Sequence, residues 1–348
     1  MVMYVRLFAS VGLIVMLAAA AAGQGGRAIP RTPDGRPDLT GIYDANTITP
    51  IERPAQFSGR PILTDEEAAE LARTQAGRTE EGQRPSDPNR QAPARGGFVG
   101  GYNDFWMARG NRVVSVRGEK RSSIVIDPAD GKIPPMTPEG RARDEALGGL
   151  AGRTDVLERR GERPNGFDDP ELRPLGERCL TGWGWTAGPP ILPNYLYNNL
   201  KQIVQTPTHV MILTEMIHEA RVIRIGGEHL PPYVRNWSGD SVGHWEGDTL
   251  VVETTNFTGK TRFRGSSEKL RLVERFARPD ADTLLYRFTV EDPATWPRPW
   301  TGEYTWVTTR ERLYEYGCHE NNYALGGILR GARLEDAEKA ATHTGTKP

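Results

Sequence analysis

The sequence predicts a mainly β protein, an antiparallel meander closed or nearly closed into a barrel, with a few short helices and an extended N-terminal arm. Three observations predict it. Apolar, β-branched runs recur at short, regular spacing between 202 and 309. Tight turn signals, Glu246-Gly247-Asp248 and Arg278-Pro279-Asp280-Ala281-Asp282, punctuate them. The run 283–290 alternates with period two, so Leu284, Tyr286, Phe288 and Val290 share one face while Thr283, Arg287 and Thr289 share the other. A β-sandwich is the alternative arrangement. No internal repeat of about 20–50 residues is visible, which weighs against a propeller or solenoid.

The elements follow in chain order. Residues 1–22 have the form of a signal peptide: Arg6 in a short n-region, an apolar run from Leu7 to Leu17, and small residues Ala18 to Ala22 that satisfy an A-x-A cleavage rule. The apolar run is shorter than the roughly 20 residues of a comfortable transmembrane helix. No later segment is apolar enough to cross a bilayer as a helix. The expected compartment is therefore periplasmic or secreted. Residues 23–105 are dominated by Pro, Gly and Arg and read as an extended arm with little regular structure. One helix interrupts it near 65–75, opened by the capping box Thr64-Asp65-Glu66-Glu67. A first short strand fits 38–43, and a second helix starts at Thr137 with Pro138 in its first turn and runs to Gly148.

The β-rich domain spans 106–330. Its strands read as 113–116, 123–126, 202–205, 210–217, 220–225, 249–255, 270–276, 283–290 and 304–307. A short helix over 321–329 and a charged tail over 331–348 close the chain. The 44 Lys and Arg against 45 Asp and Glu leave a net charge of −1, so no global basic field draws the protein to nucleic acid. Cys179 and Cys318 are the only two cysteines. In an oxidising compartment they are most simply one disulfide. Bridging so long a loop would stabilise the fold by about 4–5 kcal/mol in the chain-entropy view.

Three segments carry a resemblance. Gly239-Asp240-Ser241-Val242-Gly243-His244-Trp245-Glu246-Gly247-Asp248-Thr249-Leu250-Val251-Val252-Glu253-Thr254-Thr255-Asn256-Phe257 and Tyr314-Glu315-Tyr316-Gly317-Cys318-His319-Glu320-Asn321-Asn322-Tyr323 are the two main ones. The third is Ile124-Val125-Ile126-Asp127-Pro128 with Gly131-Lys132-Ile133-Pro134-Pro135. Together they resemble the hallmarks of a large set of uncharacterised exported bacterial proteins, over roughly 110–335. The resemblance implies a compartment and a fold, and no chemistry, since no activity is established for that set.

The chemistry is therefore weighed motif by motif. His319-Glu320-Asn321-Asn322-Tyr323 begins like a zincin H-E-x-x-H, but Tyr323 stands where the second imidazole is needed. His218-Glu219-Ala220-Arg221-Val222 fails in the same way, and His244-Trp245-Glu246 lacks the P-C-x-x-C of the deaminases. No metal site is assigned, and the cofactor is left unknown. Gly239-Asp240-Ser241 is similar to the G-D-S of one esterase class, but no D-x-x-H exists anywhere. Its bland reading is a polar turn whose Asp240 bonds local backbone N–H groups.

What remains is a polar–aromatic constellation. His218, Asp240, His319 and Glu320 are the candidate catalytic residues. Glu215, Arg221, Trp237, His244, Trp245 and Tyr323 are the candidate ligand-binding ones. The bland alternative is a surface ion pair, Glu215–Arg221, with tryptophans as plain core. A bulge or turn at Met216–His218 is expected to bring His218 against His319 or Asp240. Three function classes stay open. The first is a lipocalin-like barrel that binds a small apolar or aromatic molecule, to which a His/carboxylate cluster could add acid/base catalysis. The others are an exported hydrolase, lyase or isomerase, and a structural or partner-binding envelope protein. A deep charged pocket would favour an enzyme, an apolar one a binding protein, and a filled barrel the third class.

Overall fold

Strand register closes the sheet on itself. The computed structural model describes residues 28–85, 89, 91, 110–146, 167, 169–173, 175–182, 188–193, 197–260, 263–320 and 322–343. The expected signal peptide lies outside them. The first elements are β1 (Gly41–Asp44), β2 (Ile62–Leu63), α1 (Asp65–Gly82), β3 (Ser115–Val116), β4 (Glu119–Arg121), β5 (Val125–Asp127) and α2 (Pro138–Ala146). The barrel strands follow as β6 (Leu200–Gln205), β7 (His209–Thr214), β8 (Glu219–Ile225), β9 (Asp240–Glu246), β10 (Thr249–Thr255), β11 (Arg271–Ala277), β12 (Thr283–Glu291) and β13 (Trp300–Thr308). Helix α3 (Tyr323–His343) comes last.

The order β1-β6-β7-β8-β9-β10-β11-β12-β13 returns to β1 through Tyr43↔Thr308 and Asp44↔Val307, a closed nine-stranded barrel. β5 adds to β13 from outside the closure, and β2, β3 and β4 form a small separate sheet. Every neighbouring pair in the ring is antiparallel except β8–β9, which run parallel (Ile223↔Ser241, Ile225↔Gly243). The meander thus holds one crossover, residues 226–239.

Local chemistry explains most of the elements. In β12 the alternation read from sequence becomes alternating burial, with Leu284, Tyr286, Phe288 and Val290 fully buried. The capping box at Thr64 forms in both directions: the Glu67 N–H donates to Thr64 Oγ1 at 3.2 Å and the Thr64 N–H to Glu67 Oε2 at 2.9 Å. That start supports a longer helix than 65–75. The C-terminal helix likewise runs on to His343, well past the expected 321–329, so the charged tail is largely helical. β1 lies in the stretch read as an arm, yet it is a stave of the barrel.

The lumen is filled. Tyr286 sits in a cluster with Phe276, Trp306, Phe288 and Tyr304 at centroid distances of 5.0, 5.1, 5.5 and 5.6 Å. Gly302 on β13 leaves the room that the Phe288 ring occupies. The segments before β2 and around β3–β5 cover the outer wall, where Ile51, Val114, Val116 and Ile124 join the same core. Among the described residues, no helix is long and apolar enough to cross a membrane.

Candidate functional site at the barrel mouth

One end of the barrel carries the turn between β7 and β8, and there the inward faces change character. Lys201 on β6, Thr214 on β7, Arg221 on β8, Ser241 on β9, Thr254 on β10 and Glu274 on β11 are all buried, on strand faces otherwise given to Ile203, Ile212, Ile223, Val252 and Leu272. On β6 to β10 the polar residue lies towards the same end, and on β11 Glu274 sits at mid-strand, one inward position below Leu272.

Most of these groups are paired. Arg221 and Glu274 form a bidentate ion pair, Nη1 donating to Oε1 at 3.1 Å and Nη2 lying 2.9 Å from Oε2. The Tyr286 hydroxyl donates to Glu274 Oε1 at 2.8 Å and accepts from the Ile191 N–H at 2.9 Å. The Tyr304 hydroxyl donates to the Ile191 carbonyl at 2.9 Å, so Ile191 plugs the lumen by its backbone. Ser241 and Thr254 meet at 3.0 Å beside this group. Burial pushes both phenols up, and the negative charge of Glu274 adds to the rise at each. Both therefore remain hydrogen-bond donors across the ordinary pH range.

Lys201 differs. It is fully buried, and its Nζ has no hydrogen-bond partner among the described residues. Burial pushes the ammonium down to about 7, partly opposed by the negative charges of Glu215 and then Asp44.

Among the described residues, clefts open around the mouth, and three of them border the strand ends. The largest, about 790 Å³, lies between the β7–β8 turn, the segment 314–318 and α3, and is lined by Glu215, Tyr197, Tyr314, Tyr316 and Leu325. A second, about 480 Å³, shares Asn198, Glu215 and Tyr314 with it and adds Asp44 and Leu200. The third, about 430 Å³, opens between β8 and the crossover and is lined by Glu219, Arg221, Trp237, Asp240 and Ser241. No protein-family model matches this chain, and no curated protein matches it.

The expected site residues separate into groups. Arg221, Trp237 and Asp240 share the third cleft, while Glu215, buried and accepting the Tyr314 N–H at 3.3 Å, belongs to the other two. Cys179 and Cys318 are bridged, packed beside Met216 and Ile217 of the turn. That turn forms at Met216–His218 with left-handed backbone at Ile217 (φ 62°) and His218 (φ 44°). The expected meeting of His218 with Asp240 does not occur. The left-handed pair turns His218 out to solvent, and the Asp240 carboxylate is already filled. It takes Arg224 Nη1 at 2.7 Å and Nη2 at 3.0 Å, His229 Nδ1 at 2.8 Å and the Leu230 N–H at 3.0 Å. The histidine that Asp240 holds is His229, brought back by the crossover. Its Nε2 is in turn 3.4 Å from Glu253.

The remaining candidates are dispersed. His319, Glu320 and Tyr323 are exposed, and His244 is exposed on the outer face of β9, 3.2 Å from Glu246. Trp245 faces inward, but at the far end of the barrel, with the Arg36 guanidinium 5.7 Å from its ring centroid. The surface pair Glu215–Arg221, the bland alternative, does not form, and Arg221 pairs instead with the buried Glu274. Among the described residues, no three His, Cys, Asp or Glu side chains gather in a way that could hold a metal ion. Reading the sequence missed Lys201, Glu274, Tyr286 and Tyr304 as a group. The available signal was a charged residue interrupting an apolar strand face, as in Leu272-Val273-Glu274-Arg275-Phe276.

Proposed function

We propose that this is an exported β-barrel protein that binds a small molecule with an aromatic body and polar substituents at the mouth of its barrel. The observation that carries the reading is the charged layer of Lys201, Arg221 and Glu274 under that mouth. A barrel packed with aromatic side chains gains nothing in stability from burying three charges, and apolar residues of similar volume would commonly serve as well or better. The filled lumen directs a ligand to the mouth clefts and away from the barrel axis. The aromatic character follows from Trp237 beside Arg221 in one cleft and the stacked Tyr197 and Tyr316, 6.3 Å apart, near the other. Export rests on the n-region, apolar run and A-x-A site of residues 1–22, supported by the disulfide. The resemblance to exported bacterial proteins points the same way.

The second reading, a partner-binding envelope protein, draws on the filled lumen. One experiment separates the two. A thermal-shift panel of small aromatic carboxylates, phenols and aldehydes is run on the parent, Trp237→Ala and Arg221→Met. Binding at the mouth predicts at least one class that stabilises the parent and loses about tenfold in affinity in Trp237→Ala, roughly 1.4 kcal/mol. A panel in which no compound raises the parent's melting temperature overturns the mouth-binding reading in favour of the partner-binding one.

A further inference from the structure

We propose that Lys201 is an imine-forming lysine, and that the mouth of the barrel takes an aromatic aldehyde. The proposal rests on the mouth being a ligand site. Its first support is a contrast between buried cations. Arg53 donates to the Ser122 hydroxyl and the Ala129 carbonyl, Arg173 is paired with Glu177, Arg221 with Glu274, and Arg278 donates to the Asp38 carbonyl. Lys201 Nζ alone among these buried cations has no partner among the described residues. An uncompensated buried ammonium is costly, and such a site commonly favours the neutral amine, the form with a lone pair. Desolvation is one of the ways in which a lysine becomes a nucleophile at neutral pH.

Placement is the second support. Lys201 pairs with Tyr43 on one side and Thr214 on the other. Leu200, its chain neighbour, lines the 480 Å³ cleft together with Asp44 and Glu215, the two acids whose charges act on the amine. Glu215 is fixed there by donating its own N–H to the Leu200 carbonyl at 3.0 Å. The Glu215 carboxylate accepts the Tyr314 N–H at 3.3 Å, which holds segment 314–318 against the same cleft. Lys201 itself is fully buried and lines none of these clefts, so imine formation requires the wall at Leu200 and Glu215 to open.

The chemistry balances without a co-reactant. The Nζ lone pair bonds to the aldehyde carbon, and the carbonyl π pair moves onto oxygen. One nitrogen proton passes to that oxygen, giving a carbinolamine. The hydroxyl then leaves as water with the second proton, and the C=N bond forms. Glu215 carries protons between nitrogen and oxygen. Amine and aldehyde become imine and water, and nothing is oxidised or reduced.

The test is reductive trapping on the intact, folded protein. Benzaldehyde is added with sodium cyanoborohydride at neutral pH, and the N-benzyl adducts are mapped by peptide mass spectrometry. The expected result is labelling of Lys201 at least about tenfold faster than the exposed Lys132, Lys260 and Lys269, which lack the desolvated surroundings that activate a lysine nucleophile. Glu215→Gln should slow the trapping while leaving its location at Lys201. In guanidinium-unfolded protein the preference should vanish, which shows that the fold creates it. Adducts on the surface lysines of folded protein with Lys201 unmodified overturn the proposal. If carboxylates or phenols still bind at the mouth in that case, the imine fails and the mouth reading stands. If no compound of the panel binds, both fail together.

Discussion

Arg224 and Asp240 stand on adjacent parallel strands and clasp through two hydrogen bonds, Nη1 to Oδ1 at 2.7 Å and Nη2 to Oδ2 at 3.0 Å. The same carboxylate gathers His229 and the Leu230 N–H from the crossover, so one buried acid pins the only parallel pairing of the ring. Burial alone would raise the Asp240 carboxyl. The Arg224 hydrogen bonds, then the Leu230 N–H and His229, outweigh it and hold the group at about 2.

A carboxylate held below its ordinary value lends stability that is present above about pH 4 and is lost as pH falls towards 2. Acid titration of the parent by circular dichroism should show a loss on the order of 1 kcal/mol across that window. Asp240→Asn should be less stable at pH 7 and should show a flatter profile there. An unchanged acid profile in Asp240→Asn would place the acid sensitivity elsewhere.

Lys201 predicts the opposite slope at the other end of the scale. Its folded-state value lies below that of the unfolded chain, so the unfolded state binds more protons between about 7 and 10. Stability should therefore rise with pH through that window, by at most about 1.4 kcal/mol per unit. Lys201→Met should remove the slope and be more stable than the parent at pH 7. Urea melts of both proteins at pH 7 and pH 9 make the measurement.

The Cys179–Cys318 bridge closes a sequence separation of 139 residues. The double variant Cys179→Ser, Cys318→Ser should lose up to about 4 kcal/mol by denaturant unfolding, chiefly through a less constrained unfolded chain. The mouth should loosen too, since the bridge seats segment 314–318 beside Met216 and Ile217. Faster amide exchange at the β7–β8 turn than in β12 would register it. A variant as stable as the parent would contradict the expectation.

Gly302 tests how tightly the lumen is filled. A Cβ at this position would overlap the buried Phe288 ring. Gly302→Ala should cost about 1–3 kcal/mol through overpacking. Adding Phe288→Leu should return part of that loss if the clash is the cause. The comparison of single and double variants in a thermal melt decides it.

Much of the barrel was legible because its strands announce themselves locally. The 283–290 alternation, the Arg278–Asp282 turn, the capping box at Thr64 and the turn at Met216–His218 all depend on neighbours in sequence, and all appear in the structure. β9 was less legible because its inward residues are Ser241, Gly243 and Trp245, which give no apolar period. The role of β1 as a stave was hidden, since its partners Leu200 and Val307 are far along the chain. The grouping of the candidate residues in space was legible only in part. Arg221, Trp237 and Asp240 do share a cleft, but which histidine reaches Asp240 depends on how residues 226–239 fold back. Lys201 was passed over because its strand was read from Gln202, two residues after its start at Leu200.

The parallel step between β8 and β9 follows from parity. Going once round a closed ring, strand direction must return to its starting sense, so the number of direction reversals is even. Nine strands make nine junctions, and an odd ring cannot be closed by reversals alone. The seam is thus the topological consequence of β1 joining as the ninth stave, recruited from the N-terminal stretch to bridge β6 and β13. It also explains why the third cleft lies where it does. A hairpin would have joined β8 to its neighbour at the far end, whereas a same-direction neighbour forces the chain to come back to the mouth and deposit Trp237, Ser238 and Asp240 beside Arg221. Loss or gain of a single stave would move or abolish that return path.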